Sequence, residues 1–534
     1  MKFKRKRHIK KLHELGLEKK KNTVPESSSD QLENASSLSS DLSENLKNIT
    51  EKMGNSEDLV IREWTSEADE TTLRVAAVYL SGLVDESLVN DFVSKSLPSG
   101  TSPGGGKSPF LEHRGPSSEK LRVLDKWETL ITEILSGNTI MLADGSNEAV
   151  SGNTTGGKTR NISSPNTQLV IRGPQEAFNE TISTNIALIR RRIKSPNLRI
   201  EAMRIGKVTQ TEISLMYIEG IVNTKVLKEV KRRLHDIEID GILESGYIEQ
   251  LIQDQTFTPF PTIYNTERPD VVVGNLLEGR VAILVDGTPF VLVVPAVFVQ
   301  FFQSPTDYYQ HFLIASFLRL LRLLAFLFTM LIPAMYIALT TFHQEMIPTT
   351  LVISLAAQHE GVPFPAFVEA MLMAITFEIL REAGIRMPRA VGQAVSIVGA
   401  LVLGEAAVQA GIISAAMVIV VSLTGIASFA VPAYNITVTS RLIRFAMMIL
   451  AATFGFYGVV LGLIITIGHM CSLRSFGIPY LTPFAPMNLS DLKDTWIRAP
   501  LWMLKDRQSL INHKNLTRQG RNQKPSPRRG TGNH

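Results

Sequence analysis

Hydrophobic and polar positions alternate on two different scales along this chain. From residue 61 to 310, short apolar runs alternate with amphipathic stretches; beyond 311 the apolar runs lengthen to membrane scale. "TLRVAAVYLSGLVD" (Thr72–Asp85) predicts a buried strand followed by a turn. "GNTIMLADG" and "TQLVIRGP" predict two paired strands flanking a long loop. Phe178, Ile182, Ile186, Ile189 and Ile193 recur at helical spacing and predict an amphipathic helix. "TEISLMYIEGIV" predicts a strand, "NTKVLKEVKRRLHDI" a helix, and "GRVAILVDGTPFVLVVP" a hairpin turning at Asp286-Gly287. Strands mixed with helices argue an α/β (or α+β) region in two lobes, with a break near the Pro/Gly/Ser loop at 98–109.

The second half predicts an all-α, multi-pass membrane domain over 311–470. "LLAFLFTMLIPAMYIALTTF" (323–342) is twenty residues without a charge, enough to cross a bilayer core. "MIPTTLVISLAAQH" (346–359) is too short for a perpendicular span, so it reads as a half-helix or an interfacial segment. The stretches 363–380, 390–404 with its continuation, and 445–468 bring the expectation to about five membrane-associated segments. Arg319, Arg322, Arg381, Arg386, Arg389, Arg441, Arg444, Arg474 and Arg498 each mark a cytoplasmic end. A single span from 445 to 468 cannot leave both its ends inside. Either one short segment is re-entrant or one arginine pair packs against protein.

Composition narrows the chemistry. The net charge of +5 makes no case for nucleic acid, and the single cysteine, Cys471, excludes an intrachain disulfide and any multi-Cys zinc site. Residues 1–60 are basic, then Ser/Asn/Glu-rich, and predict a disordered tail. The opening "MKFKRKRHIKKLHELGLEKKK" lacks an apolar core and does not read as a cleaved secretion signal. Residues 471–534 predict a basic C-terminal tail. No metal, nucleotide or other cofactor is expected, and no catalytic residues.

One motif argues otherwise. "GNTTGGKT" (Gly152–Thr159) satisfies the Walker pattern letter for letter, and "VAILVD", ending at Asp286, offers the acidic strand such a site wants. A phosphate loop also needs a buried strand running into its first glycine and a helix starting at its Lys-Thr. Here "DGSNEAVS" precedes and "RNISSPNTQ" follows, which predicts a hairpin loop, with Asp286 serving its own turn.

Gly392, Ser396, Ala400 and Gly404 recur every four residues, a small-residue stripe that lets membrane helices approach closely. Val398, Val402, Glu405 and Gln409 share another face of the same helix. Repeated around an oligomer, the valines would form a dewetting constriction and Glu405 a ring of cation-attracting charge. The plainer reading is that the valines meet other helices or lipid, with Glu405 at the membrane–water boundary. Glu369 and Glu378 lie within apolar stretches, where carboxylates are costly. Glu378, Arg381 and Glu382 read as a partly buried charge cluster; Glu369, with no basic residue nearby in sequence, reads as facing a wet cavity.

These residues carry a resemblance. "PFPAFVEAMLMAITFEILREAGIRMPRAVGQAVSIVGALVLGEAAVQAG" resembles the signature block of the A subunits of GerA-type spore germinant receptors. "RGPQEAFNETISTNIALIRRRI", "YIEGIVN", "PFPTIYNTERPD" and "GRVAILVDGTPFVLVVPAVFVQFFQSPTDYY" resemble the family's other blocks in the family's order, over roughly 70–500. The resemblance implies a protein of the spore inner membrane that works with a transporter-like B subunit and a lipoprotein C subunit. It further implies a homo-oligomeric ring that conducts monovalent cations when nutrient binds. A paralogous group serves dipicolinate release, and a secondary transporter is a further alternative, although the sequence shows no internal repeat.

Overall fold

The computed structural model describes residues 37–68, 71–96, 121–156, 164–165, 167–168, 170–387, 402, 404–508, 511, 515–520 and 523–525. Asp41 caps the first helix, its carboxylate accepting from Ser43 N, and Gly54 ends it in the left-handed conformation at φ 65°. That helix, α1 (Leu42–Met53), buries Leu42, Leu46, Ile49 and Met53 at helical spacing. There follow β1 (Leu59–Ala68), β2 (Thr71–Leu80), α2 (Glu86–Ser96), β3 (Arg122–Leu124), α3 (Trp127–Leu135), β4 (Thr139–Ala143) and β5 (Ala149–Gly152). The strands form one antiparallel sheet in the order β1-β2-β4-β5-β3. Alternate residues of β2 serve opposite faces: Ala76, Val78 and Leu80 meet α1 and α3, while Val75, Ala77 and Tyr79 meet α2.

The second lobe comprises α4 (Ile182–Arg192), β6 (Leu198–Ile205), β7 (Thr211–Ile218), α5 (Thr224–His235), α6 (Ser245–Ile252), β8 (Tyr264–Thr266), α7 (Pro269–Leu277), β9 (Val281–Val285) and β10 (Val291–Val294). Its antiparallel sheet runs β6-β7-β9-β10-β8. This is the strand order of the first lobe again, with the same helix–strand sequence apart from the added α6. Local bonds repeat as well. Buried Asn45 accepts from Ser39 N and donates to Ser39 O; buried Asn185 does the same with Asn179. Asp144 accepts from Leu42 N, and Asp286 accepts from Ile182 N, so each carboxylate anchors its lobe's first helix. Gly82 and Gly220 both sit at φ near 80°, in "YLSGLVD" and "YIEGIVN". The region is an internal repeat, contrary to the reading of the sequence.

Other expectations need correction. "TQLVIRGP" forms no strand at its described positions; β4 pairs with β5 instead, because Ala149–Gly152 is fully buried and the turn between them is short. Strands on either side of 98–109 belong to one sheet, so the lobes divide between β5 and α4; 98–109 itself lies outside the described residues. Residues 42–60 are not part of a disordered tail, since α1 supplies core. The C-terminal segment is not a free tail either: Leu473 and Tyr480 are fully buried, and Phe298 N donates to Tyr480 O at 2.8 Å. The lobes are joined by a buried ion pair in which Arg190 of α4 donates to Asp58 at 2.7 and 3.0 Å and to Ser56 at 2.8 Å.

The C-terminal part is helical: α8 (Phe312–Thr341), α9 (Thr349–His359), α10 (Ala366–Arg386), a helical stretch at 404–409, α11 (Ala415–Ser428) and α12 (Tyr434–Ser472). Two of these, Phe312–Thr341 and Tyr434–Ser472, are long and apolar enough to cross a membrane. α12 is not one rod. Gly455 at φ 59°, ψ −141° breaks it, and the chain doubles back. A Cβ on Gly462 would stand 2.6 Å from Met447 Sδ, two positions that a straight helix holds about 22 Å apart. Both ends of the hairpin meet the second lobe: Thr439 bonds to Pro259 O, and His469 Nε2 lies 2.9 Å from Thr258 Oγ1. Its tip at Gly455 lies against Phe342 and His343, at the far end of α8.

Candidate functional site

The helices present polar chemistry at both ends. At the end facing the lobes, α8 carries Arg319 and Arg322 one turn apart, on the face that packs inward. Both reach the buried carboxylate of Asp307, at 2.9 and 2.8 Å, and Arg319 also takes Asp494 at 2.8 Å. Two arginines paired with two acids offset much of the cost of burial, although Arg319 Nη2 has no acceptor among the described residues. This cluster ties α8 to the segment after α12.

A second cluster ties α10 to α12. Glu378 accepts from Arg441 at 2.7 Å and from Arg444 at 3.0 Å, with Arg381 at 3.8 Å. Arg381 also donates to Ser428 at the end of α11. Glu382 does not join this cluster as expected. It lies on the outer face of α10 and pairs with exposed Arg386 at 2.6 Å. Sequence reasoning missed Arg441 and Arg444 as partners because they lie some sixty residues on, where only packing could bring them.

At the far end, Glu369 opens α10 and is fully buried, so it does not face a wet cavity. Ser414 N donates to its Oε2 at 2.8 Å, and His359 Nδ1 stands 3.1 Å from its Oε1. Tyr336 of α8 lies 3.3 Å from His359 Nε2. One carboxylate therefore gathers the end of α9 and the start of α11, with α8 alongside. His359, ten residues upstream, is the partner that a search for Lys and Arg passed over.

The small-residue stripe and the valine face fall partly outside the described residues, which exclude Gly392, Ser396, Val398 and Ala400. Gly404 is buried, and a Cβ there would lie 3.5 Å from Val418 Cγ1 of α11. Val402 is 54% exposed, and Glu405 and Gln409 are exposed as well, bonded to each other at 3.1 Å. The face bearing Val402, Glu405 and Gln409 is thus uncovered within one chain, while Gly404 packs inward.

The Walker-like segment differs from expectation in one respect: a buried strand, β5, does run into Gly152. Beyond it the resemblance to a phosphate cradle fails on hydrogen bonds. Gly156 N donates to Leu83 O at 3.1 Å and Thr155 N to Asn153 Oδ1 at 3.3 Å, while Thr154 O accepts from Asp85 N at 2.9 Å. The amides of Thr155 and Gly156 are therefore already committed, whereas an anion needs them free. Lys158 and Thr159 lie outside the described residues. Asp286 anchors α4 rather than its own turn.

The Bacillus/Clostridium GerA spore germination protein family model matches residues 47–510. Spore germination protein KA of Bacillus subtilis (strain 168) is 52% identical over 496 residues, covering 92% of this chain and 90% of the relative. Spore germination protein GerLA of Bacillus cereus is 43% identical over 481 residues, covering 90% and 97%. Among solved structures, the N-terminal domain of the A subunit of the Bacillus megaterium spore germinant receptor GerK3 is 45% identical. It covers 49% of this chain and 97% of that one, with a TM-score of 0.38.

Proposed function

The chain belongs to the Bacillus/Clostridium GerA spore germination protein family, and from that membership we propose that it is the A subunit of a nutrient germinant receptor. It is a multi-pass protein of the spore inner membrane with its lobes on the core side. It assembles with a transporter-like B subunit and a lipoprotein C subunit. Copies of the chain form a ring whose helices pass monovalent cations once nutrient is bound, so its role is conduction and not catalysis. The B subunit's bound state shifts the ring between closed and open forms, in proportion to its differential affinity for the two.

The observation that carries this reading is the unequal burial around one helix: Val402, Glu405 and Gln409 are uncovered while Gly404 packs against Val418. Charge placement supports the orientation. Arg319, Arg322, Arg381, Arg441, Arg444 and Arg498 all gather at the lobe-facing ends of the helices, as the positive-inside tendency requires of a core-side face. The doubling back of α12 lets its flanking arginines share that side. The repeat found in this chain lies in the lobes, so it lends nothing to a transporter built on repeated membrane halves. The dipicolinate-release paralogue remains the alternative; a receptor responds to nutrient, whereas the paralogue acts downstream of it.

The test is thiol accessibility along 390–410 with Cys471 removed, together with Val402→Ala in spores. Water-soluble reagent should reach 402, 405 and 409 but not 404, and Val402→Ala should leak cations or germinate without nutrient. Modification restricted to the Gly404 side, with unchanged gating in Val402→Ala, would refute the pore assignment.

A further inference from the structure

The repeat makes it possible to compare the same place in both lobes. From β3 to β5 and from β8 to β10 the positions correspond at constant offset: Arg122 with Tyr264, Glu133 with Asn275, Asn138 with Arg280. In the first lobe Glu133 accepts from Arg122 at 2.9 Å, from Ser151 at 3.1 Å and from Asn138. The carboxylate there is built in. In the second lobe the cation has moved to Arg280 and the acid has been replaced by the neutral Asn275.

Arg280 is 3% exposed, and among the described residues it forms no ion pair. Its Nη1 donates to Asn275 Oδ1 at 2.9 Å and its Nη2 to Gln508 Oε1 at 3.2 Å, both neutral acceptors. Its Nε has no acceptor among the described residues, and Oε1 of Gln300, 5% exposed and bonded to the same Asn275 oxygen through its amide nitrogen, has no donor. Glu278 acts on Arg280 without an ion-pair contact and is paired with Arg518 at 2.8 Å. A buried guanidinium without a contacting carboxylate is costly, and burial pushes its pKa down to about 10.

Arg280, Asn275 and Gln300 line a cleft of about 420 Å³ between α7, the 300–309 segment and the C-terminal strap, with Tyr264, Tyr308 and Gln508 among its other walls. The volume suits a small molecule, and the tyrosines supply flat apolar surface. We propose that this cleft binds a small organic carboxylate, its anionic group seated on Arg280 in place of Gln508 and its apolar body against the tyrosines. The ligand supplies the charge that Glu133 supplies in the first lobe. A monoanion fits better than a phosphate dianion. Asp270, Glu278 and Asp494 also line the cleft, and each is already paired, with Arg268, Arg518 and Arg319. The other cations on its walls, Arg192, Lys493, Lys505 and Arg518, are all more exposed than Arg280, so a second negative charge would face these acids without a buried partner. Because Gln508 belongs to the strap that follows the membrane helices, binding changes what holds that strap to the second lobe.

The experiment uses the full chain in phosphatidylcholine nanodiscs at constant ionic strength, with sodium benzoate, benzamide and phenyl phosphate as probes and thermal unfolding plus saturation-transfer NMR as readouts. Benzoate should raise Tm saturably, benzamide should not, and phenyl phosphate should bind more weakly. Asn275→Asp restores the first lobe's pattern with almost no change in shape. It should fold with a higher Tm and weaken benzoate binding by at least ~10-fold. Gln508→Ala removes the competing side chain and should tighten binding several-fold. Benzoate binding that survives Asn275→Asp at full strength, equal binding of benzamide, or tighter binding of phenyl phosphate would each overturn the assignment.

Discussion

The reversal of α12 at Gly455 depends on a residue without a Cβ, and Gly455→Ala tests it. At φ 59°, ψ −141° the backbone is in a region that residues with a Cβ adopt only under strain, about 1–3 kcal/mol. The new methyl group would also stand 2.8 Å from His343 Cε1 and 2.9 Å from Phe342 Cβ, adding about 1–3 kcal/mol of overpacking. Alanine further favours the competing straight helix by about 1 kcal/mol relative to glycine. The hairpin is therefore penalised by about 3–7 kcal/mol, enough to open it or to prevent assembly. Electron-spin distance measurement between labels on native Cys471 and on Tyr434→Cys reads this directly. A straight helix would separate these positions by about 56 Å. The wild-type fold places both beside the second lobe, so the label distance should be far shorter. Gly455→Ala should lengthen or broaden that distribution and lower the yield of folded protein. A wild-type distance near the straight-helix value, or an unchanged distribution in Gly455→Ala, refutes the hairpin.

Two other outcomes follow from particular contacts. Glu378→Gln leaves Arg441 and Arg444 without their carboxylate; with Glu378 partly exposed the loss is about 2–4 kcal/mol, read as a lower Tm in detergent and as protease cleavage between α10 and α12. Glu249, half-buried beside Glu244, has its pKa raised from 4.5 to about 7, chiefly by burial and then by its acidic neighbour. The fold therefore holds this proton more tightly than the unfolded chain does. The stability it gives is complete below about pH 4.5, fades as pH rises towards 7 and is lost above it, a span of about 1–3 kcal/mol after allowance for solvent screening. Glu249→Gln should flatten that slope in thermal melts between pH 5 and 8; an identical slope in the variant would count against it.

The features written in short-range pattern can be read from the residues alone. The strand–turn of "TLRVAAVYLSGLVD", the helix at α5, the hairpin β9–β10 and the apolar run of α8 follow from periodicity and stand in the structure at those residues; the run 445–468, read as one span, instead straddles the reversal at Gly455. The repeat, missed in the sequence, leaves only short traces there, in "YLSGLVD" against "YIEGIVN" and "LADG" against "LVDG", because each lobe keeps only the residues its turns and helix anchors require. Tertiary structure alone decided the rest. Whether Glu378 meets Arg381 or Arg441 and Arg444, whether Glu369 faces water or Ser414 and His359, and whether α12 is a rod or a hairpin all depend on contacts between residues far apart along the chain. A carboxylate's sequence neighbours fix its i+3 and i+4 companions, but burial imposes the larger cost, and only the assembled helices determine which distant cation or amide offsets it.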